Sequence, residues 1–168
     1  MRLIIVRHAD AGDAEEFAKT GKSDELRPLS EKGRKQMKAA TAGLLTLVPR
    51  CDVIATSPLT RAIQTAKIVA SGYEDAEQET TETLEPDTGP EEFQEWLRRP
   101  APADVVMAVG HEPHLGELAT WLMTGASASR IEFKKGGACL LEFEGAPKKG
   151  EGILRWLMGP KELAALAM

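Results

Sequence analysis

Apolar residues along this chain fall into three short runs, each ending abruptly in polar or charged residues. Leu3-Ile4-Ile5-Val6 runs into Arg7-His8, Val53-Ile54-Ala55 into Thr56-Ser57-Pro58, and Val105-Val106-Met107-Ala108-Val109 into Gly110-His111. Continuous β-branched runs of this length, without alternation, predict strands buried on both faces, as in a parallel sheet. Between them the apolar spacing turns helical. Ser30 predicts the N-cap of a helix reaching about Leu47 and closed by Pro49. Ser57-Pro58 predicts a cap followed by proline at the first helical position, opening a helix to about Ala70 that stops at Gly72. Pro90 opens a short helix presenting Phe93, Trp96 and Leu97, and Pro113 another presenting Leu115, Leu118, Ala119 and Leu122. Ala138 to Glu144 and Gly152 to Leu157 predict two paired strands around a polar loop at 145–150, and a last short helix follows Pro160. Alternating strands and helices predict an α/β fold, a three-layer α/β/α sandwich around a mainly parallel sheet. There is no internal repeat or long linker, so residues 1–168 are expected to form a single domain.

Composition narrows the function. With 42% hydrophobic residues the chain is expected to bury a substantial core, and a net charge of −5 disfavours nucleic acid and anionic membranes as partners. Any anion site must therefore be built locally. No apolar stretch is long enough to span a bilayer and no secretory leader is visible, so a cytoplasmic location is the expectation. Cys51 and Cys139 are read as buried, reduced thiols.

The chemistry lies at the ends of the strands. Open α/β sheets bind ligands at the carboxyl edge, and Arg7, His8, Arg61 and His111 all fall at or just beyond it. Arg61 belongs to the first turn of the helix after Ser57-Pro58, where unpaired N–H groups favour an anion. Two guanidiniums, two imidazoles and a helix N-terminus suit a phosphoryl group, whose oxygens match arginine's fork. Neighbouring arginines disfavour an imidazolium, which keeps His8 neutral and nucleophilic. The polar segment from Asp10 to Arg27 leaves the tip of the first strand and can close over the site.

Three motifs together resemble the histidine phosphatase superfamily, the group that includes phosphoglycerate mutases. Leu3-Ile-Ile-Val-Arg7-His8-Ala9 is similar to its leading motif, with alanine where glycine is usual. Thr56-Ser-Pro-Leu-Thr-Arg61-Ala-Ile-Gln-Thr-Ala66 matches the second, and Val109-Gly110-His111 the third. The resemblance implies a phosphoglycerate mutase-like fold with His8 as phosphoacceptor. Arg7, Arg61 and His111 complete its phosphate pocket, and Ser57 is a further phosphate contact. It implies no cofactor and no metal. Leu26-Arg27-Pro28-Leu29-Ser30-Glu31-Lys32-Gly33 and Trp156-Leu-Met-Gly-Pro160 look like the small phosphohistidine phosphatases of the SixA type. A short chain without a large insertion after the second motif implies an open pocket that accepts phosphohistidine on a partner protein. A small phosphate ester is the alternative substrate. A monomer is favoured, without a fixed oligomeric state.

A general acid is needed if the leaving group is an alcohol. Glu85 follows the second motif's helix, Asp24 precedes Arg27, and Asp10 is adjacent to the leading motif. Each also reads as an ordinary loop carboxylate. His114, one turn beyond His111, reads as a solvated helix position, and Trp96, Trp121 and Trp156 as core or half-core residues. Three rival readings are a phosphomutase, a metal hydrolase using His8, His111 and His114, and a phosphate-binding pseudoenzyme. His111-Glu-Pro-His114 lacks metal-ligand spacing, two arginines repel a divalent cation, and no lid retains a mutase intermediate.

Overall fold

The computed structural model describes residues 1–98 and 103–167. Its elements follow in the order β1 (Arg2–Arg7), α1 (Ala14–Ala18), α2 (Glu31–Leu47), β2 (Val53–Thr56), α3 (Thr60–Ala70), β3 (Glu77–Thr80), α4 (Pro90–Leu97), β4 (Val105–Gly110), α5 (His114–Thr124), β5 (Ala138–Glu142), β6 (Ile153–Met158) and α6 (Pro160–Ala165). Single 3-10 turns lie at Asp24–Leu26 and Glu82–Leu84. The strands form one sheet in the order β3-β2-β4-β1-β5-β6. β3, β2, β4 and β1 pair in parallel, whereas β5 runs antiparallel to both β1 and β6.

The pleat sends alternate residues of each strand to opposite layers. Ile4, Val6, Met107 and Val109 pack with Met37 and Leu44 of α2, Ala62 and Val69 of α3, and Leu163 of α6. Leu3, Ile5, Val106 and Ala108 pack with Phe93 and Leu97 of α4 and Leu115, Leu118 and Leu122 of α5. This is the expected three-layer sandwich. Burial on both faces explains the unbroken apolar runs, each fully buried large side chain contributing about 1.5–3 kcal/mol.

Several local expectations change. Helix α3 begins at Thr60 with Leu59 as its cap residue, so neither Ser57 as cap nor Pro58 at the first position holds. The Ser57 side chain is engaged elsewhere, accepting from the Leu59 N–H at 3.3 Å and pairing with His111. Pro113 likewise precedes α5 instead of opening it, after a cis Glu112–Pro113 bond. Strand β3 and helix α1 carry no hydrophobic pattern: β3 is an edge strand of Glu-Gln-Glu-Thr, and α1 buries no residue, its one local signal being the Asp13 cap.

The exit of β1 is stitched to two helices. Ser30 does cap α2, its Oγ accepting from the Gly33 N–H at 3.0 Å while donating to the Asp10 carboxylate at 2.6 Å. The Ser30 N–H donates to the Asp10 carbonyl at 2.9 Å. Gly33 lies so close to Asp10 that a Cβ would run into its carbonyl oxygen. On the other side, the Ala9 N–H donates to Thr65 Oγ1 at 3.0 Å, and that hydroxyl donates to the Arg61 carbonyl at 2.8 Å. Gly33→Ala should therefore displace the Asp10 peptide and cost about 1–3 kcal/mol as overpacking does. Urea unfolding checks this, and a variant as stable as the parent would show that the contact is soft.

Candidate active site

His8 follows β1 directly. Its backbone N–H donates to the Gly110 carbonyl at 2.9 Å, extending the β1–β4 ladder by one residue and bringing His8 beside His111. The two rings lie 5.1 Å apart between centroids, tilted by 54°. His8 Nδ1 is 2.7 Å from the Ala9 carbonyl. A carbonyl only accepts, so Nδ1 carries the proton and Nε2 keeps its lone pair. Thr65 of α3 accepts from the Ala9 N–H, so the residue whose carbonyl orients the imidazole is itself anchored to α3.

Arg7, His8, Arg61 and His111 line one cavity of about 400 Å³ that opens to solvent. Arg27, Pro86, Glu112 and Lys135 share its wall. Arg7 donates through one terminal nitrogen to the Phe133 carbonyl at 2.7 Å. Arg61, only 6% exposed, donates to the Asp24 carbonyl at 3.0 Å and sits 3.2 Å from its carboxylate. His111 Nε2 is 2.8 Å from Ser57 Oγ. Thus Ser57 meets the site through His111. Arg7 Nε, Arg61 Nε and His111 Nδ1 are buried with no hydrogen-bond partner among the described residues. Buried polar groups are almost always satisfied, so three unsatisfied nitrogens from the same cavity wall mark a place for an acceptor-rich ligand.

Both imidazoles are held neutral. Burial, ahead of the repulsion from Arg61, Arg7 and Arg27, lowers His8 to about 4, against the pull of the Ala9 hydrogen bond. Burial again, then His8 and Arg61, lowers His111 to about 3. The arginines assist, but desolvation is the larger cause. His114 is a correction: it is fully buried instead of solvated, with Nε2 3.4 Å from Thr88 Oγ1, tying α5 to the segment before α4.

The carboxyl groups separate by environment. Asp24 reaches the site, yet the Arg27 side chain holds it below its ordinary pKa at 2.8 Å, with help from Arg61. Asp10 is lowered by Ser30 and then Lys135. Glu85 lies outside the cavity wall, where its neighbour Pro86 takes the place. Glu112 is half-buried and raised by that burial, against the Phe133 N–H and Arg7. Sequence reasoning missed Arg27, Lys135 and Glu112. The Arg27-Pro28-Leu29 motif and the adjacency of Glu112 to His111 were the available signals. Among the described residues, no three His, Cys, Asp or Glu side chains form a metal-binding group, and no helix is long and apolar enough to cross a membrane. Cys51 and Cys139 are free and buried.

Residues 3–106 match the model of the histidine phosphatase superfamily (branch 1), and the chain belongs to that family. An uncharacterized protein of Picosynechococcus sp. is 34% identical over 139 residues, covering 82% of each chain. Among solved structures, the protein histidine phosphatase SixA complexed with tungstate aligns over 97% of this chain and 99% of its own, with a TM-score of 0.80 and 24% identity. A variant of the phosphoserine phosphatase of Entamoeba histolytica, in complex with phosphoserine, aligns over 96% and 98% with a TM-score of 0.68 and 15% identity. These two likenesses establish the shared fold.

The depressed histidines make stability pH-dependent. As pH falls below 6.5, the unfolded chain takes up a proton that folded His8 refuses until about pH 4, so stability is lost across that window. The loss attached to His8 is roughly 3 kcal/mol. Urea unfolding at pH 7 and pH 4.5 should show a smaller decline for His8→Asn than for the parent. Equal declines would mean that His8 titrates normally.

Proposed function

We propose that this protein is a metal-independent phosphatase that carries the phosphoryl group on His8 Nε2. The observation that carries the reading is the set of buried nitrogens without partners, Arg7 Nε, Arg61 Nε and His111 Nδ1, around a histidine whose Nε2 is left unprotonated. A phosphoryl group supplies the acceptor oxygens these nitrogens lack. Nε2 attacks phosphorus while Nδ1 keeps its proton on the Ala9 carbonyl, and the leaving group departs. Arg7, Arg61 and His111 stabilise the equatorial oxygens, with Ser57 fixing the His111 ring. Water then hydrolyses the phosphohistidine and restores His8. Arg27 and Lys135 in the same wall add positive charge, which favours the phosphate and repels a divalent cation.

The preferred substrate is a phosphohistidine on a partner protein. The solvent-open cavity supports this, since a side chain protruding from another protein can enter it, and an imidazole leaves readily once protonated. The likeness to SixA supports the same reading. Small phosphate esters are the second reading, favoured by a carboxyl in the wall with its pKa raised, Glu112.

Rapid-quench labelling should trap an acid-labile, alkali-stable phosphoenzyme that His8→Ala lacks; an adduct persisting in that variant would remove the nucleophile assignment. Arg61→Lys keeps the charge but loses the fork, so kcat/KM should fall by roughly two orders of magnitude. Near-normal turnover there would count against the pocket. Turnover should survive a chelator, and its loss on chelation would return the metal-hydrolase reading. Comparing a phosphohistidine protein with phosphosugars in the same assay ranks the substrate classes.

A further inference from the structure

Resting on the phosphatase reading, we infer that Glu112 is the proton donor to the leaving group, and that it extends the substrates of this site to phosphate esters of alcohols. Phosphoramidates and aryl phosphates release good leaving groups, whereas an alkoxide must be protonated as it departs. The site therefore needs a carboxylic acid only if alcohol esters are among its substrates.

The carboxyls around the cavity differ in what they are committed to. Asp13 accepts from the Glu16 N–H at 2.8 Å as the cap of α1. Asp10 is bound to Ser30 at 2.6 Å and to Lys135 at 3.2 Å. Asp24 lies between Arg27 and Arg61 at 2.8 and 3.2 Å. Each of the last two is an anion engaged with a cation and has no proton to give. Glu112 is in the cavity wall beside His8, His111 and Arg7, and among the described residues it forms no ion pair.

Its position is built by three segments. Chain adjacency to His111 brings it to the carboxyl edge of β4. The Phe133 N–H points at Oε1 from 3.4 Å, and the carbonyl of the same residue accepts from Arg7 at 2.7 Å. Gly116 of α5 also hydrogen-bonds the carboxyl through its backbone, which favours the anion, and a Cβ there would lie 3.0 Å from Glu112 Oε2. The charges facing the carboxyl are Arg7 from β1, which favours the anion, and Glu132 from the segment before β5, which favours the acid. His8 and His111 are neutral neighbours. Burial, with a smaller push from Glu132, outweighs the Phe133 and Gly116 backbone hydrogen bonds and Arg7, and leaves the carboxyl easier to protonate than an ordinary glutamate.

The step balances without any other reactant. The His8 Nε2 lone pair forms the N–P bond as the P–O bond to the alcohol breaks. The Glu112 proton passes to the leaving oxygen, giving a neutral alcohol and a carboxylate. Water then attacks phosphorus and yields its proton to Glu112, and the N–P electron pair returns to Nε2 as inorganic phosphate leaves.

Glu112→Gln preserves the shape and the oxygen that meets the Phe133 N–H, but has no acidic proton. Its effect is read on two substrates, p-nitrophenyl phosphate with a good leaving group and phosphoserine with a poor one. For phosphoserine, kcat/KM should fall by about 10²–10³ and the alkaline limb of the pH profile should vanish. For p-nitrophenyl phosphate it should stay within about threefold, because little protonation is needed. A purely structural role would lower both alike, and that result overturns the assignment. So does an unchanged rate on phosphoserine, or a parent enzyme that turns over the aryl ester but not the alkyl one. A parent that forms no phosphoenzyme from either substrate fails at the earlier level, removing the phosphatase reading and this inference with it.

Discussion

One main-chain hydrogen bond, from the His8 N–H to the Gly110 carbonyl, sets the spacing on which the site depends. It continues the parallel register of Arg7 opposite Gly110 by one step past the strand, so His8 and His111 leave adjacent strands at the same level. A slip of one residue would turn His8 to the opposite face of the sheet. The buried faces of β1 forbid that slip, because Leu3 and Ile5 would exchange layers with Ile4 and Val6. The hydrophobic core thus acts on the chemistry through register.

What the core places there is costly to keep. Two imidazoles and Arg61 are almost withdrawn from water, within reach of the Arg7 and Arg27 charges. The imidazoles respond by staying neutral, whereas a guanidinium cannot. Asp24 partly offsets the cations: its carboxylate bridges Arg27 and Arg61 on the Asp10 to Arg27 segment, which reaches back from the strand tip. Net negative charge over the whole chain therefore coexists with a local cluster of like cations. The anchoring of that segment through Asp10, Ser30 and Gly33 makes the start of α2 part of the site's framework.

The sequence made the layers legible because doubly buried strands write themselves as unbroken apolar runs. Leu3 to Val6 and Val105 to Val109 could be placed without any knowledge of their partners. Glu77 to Thr80 could not, since an edge strand with exposed side chains carries its pairing in the backbone alone. Arg7, His8, Arg61 and His111 were visible because strand ends and the first turn of a helix are local features. Arg27, Lys135 and Glu112 were not, because their approach depends on how loops return to the sheet edge. Local rules make Ser57 a cap, whereas it holds His111, and they make His114 solvated, whereas it is buried against the segment around Thr88. Both errors share a cause: local helix rules describe a side chain's options, and tertiary neighbours choose among them.

The central place of β1 also has a consequence in time. It precedes every other strand of the sheet in the chain, yet its nearer partner in sequence, β4, begins only at Val105 and β5 only at Ala138. At ribosomal speeds of ~5–20 residues per second, the strand that bears His8 waits for roughly 5–20 seconds before a neighbour exists to receive it. During that interval the chain can form α2 and the β2–β3 pair, but not the site. His8, made before either strand that flanks its own, finds its place only after both have emerged.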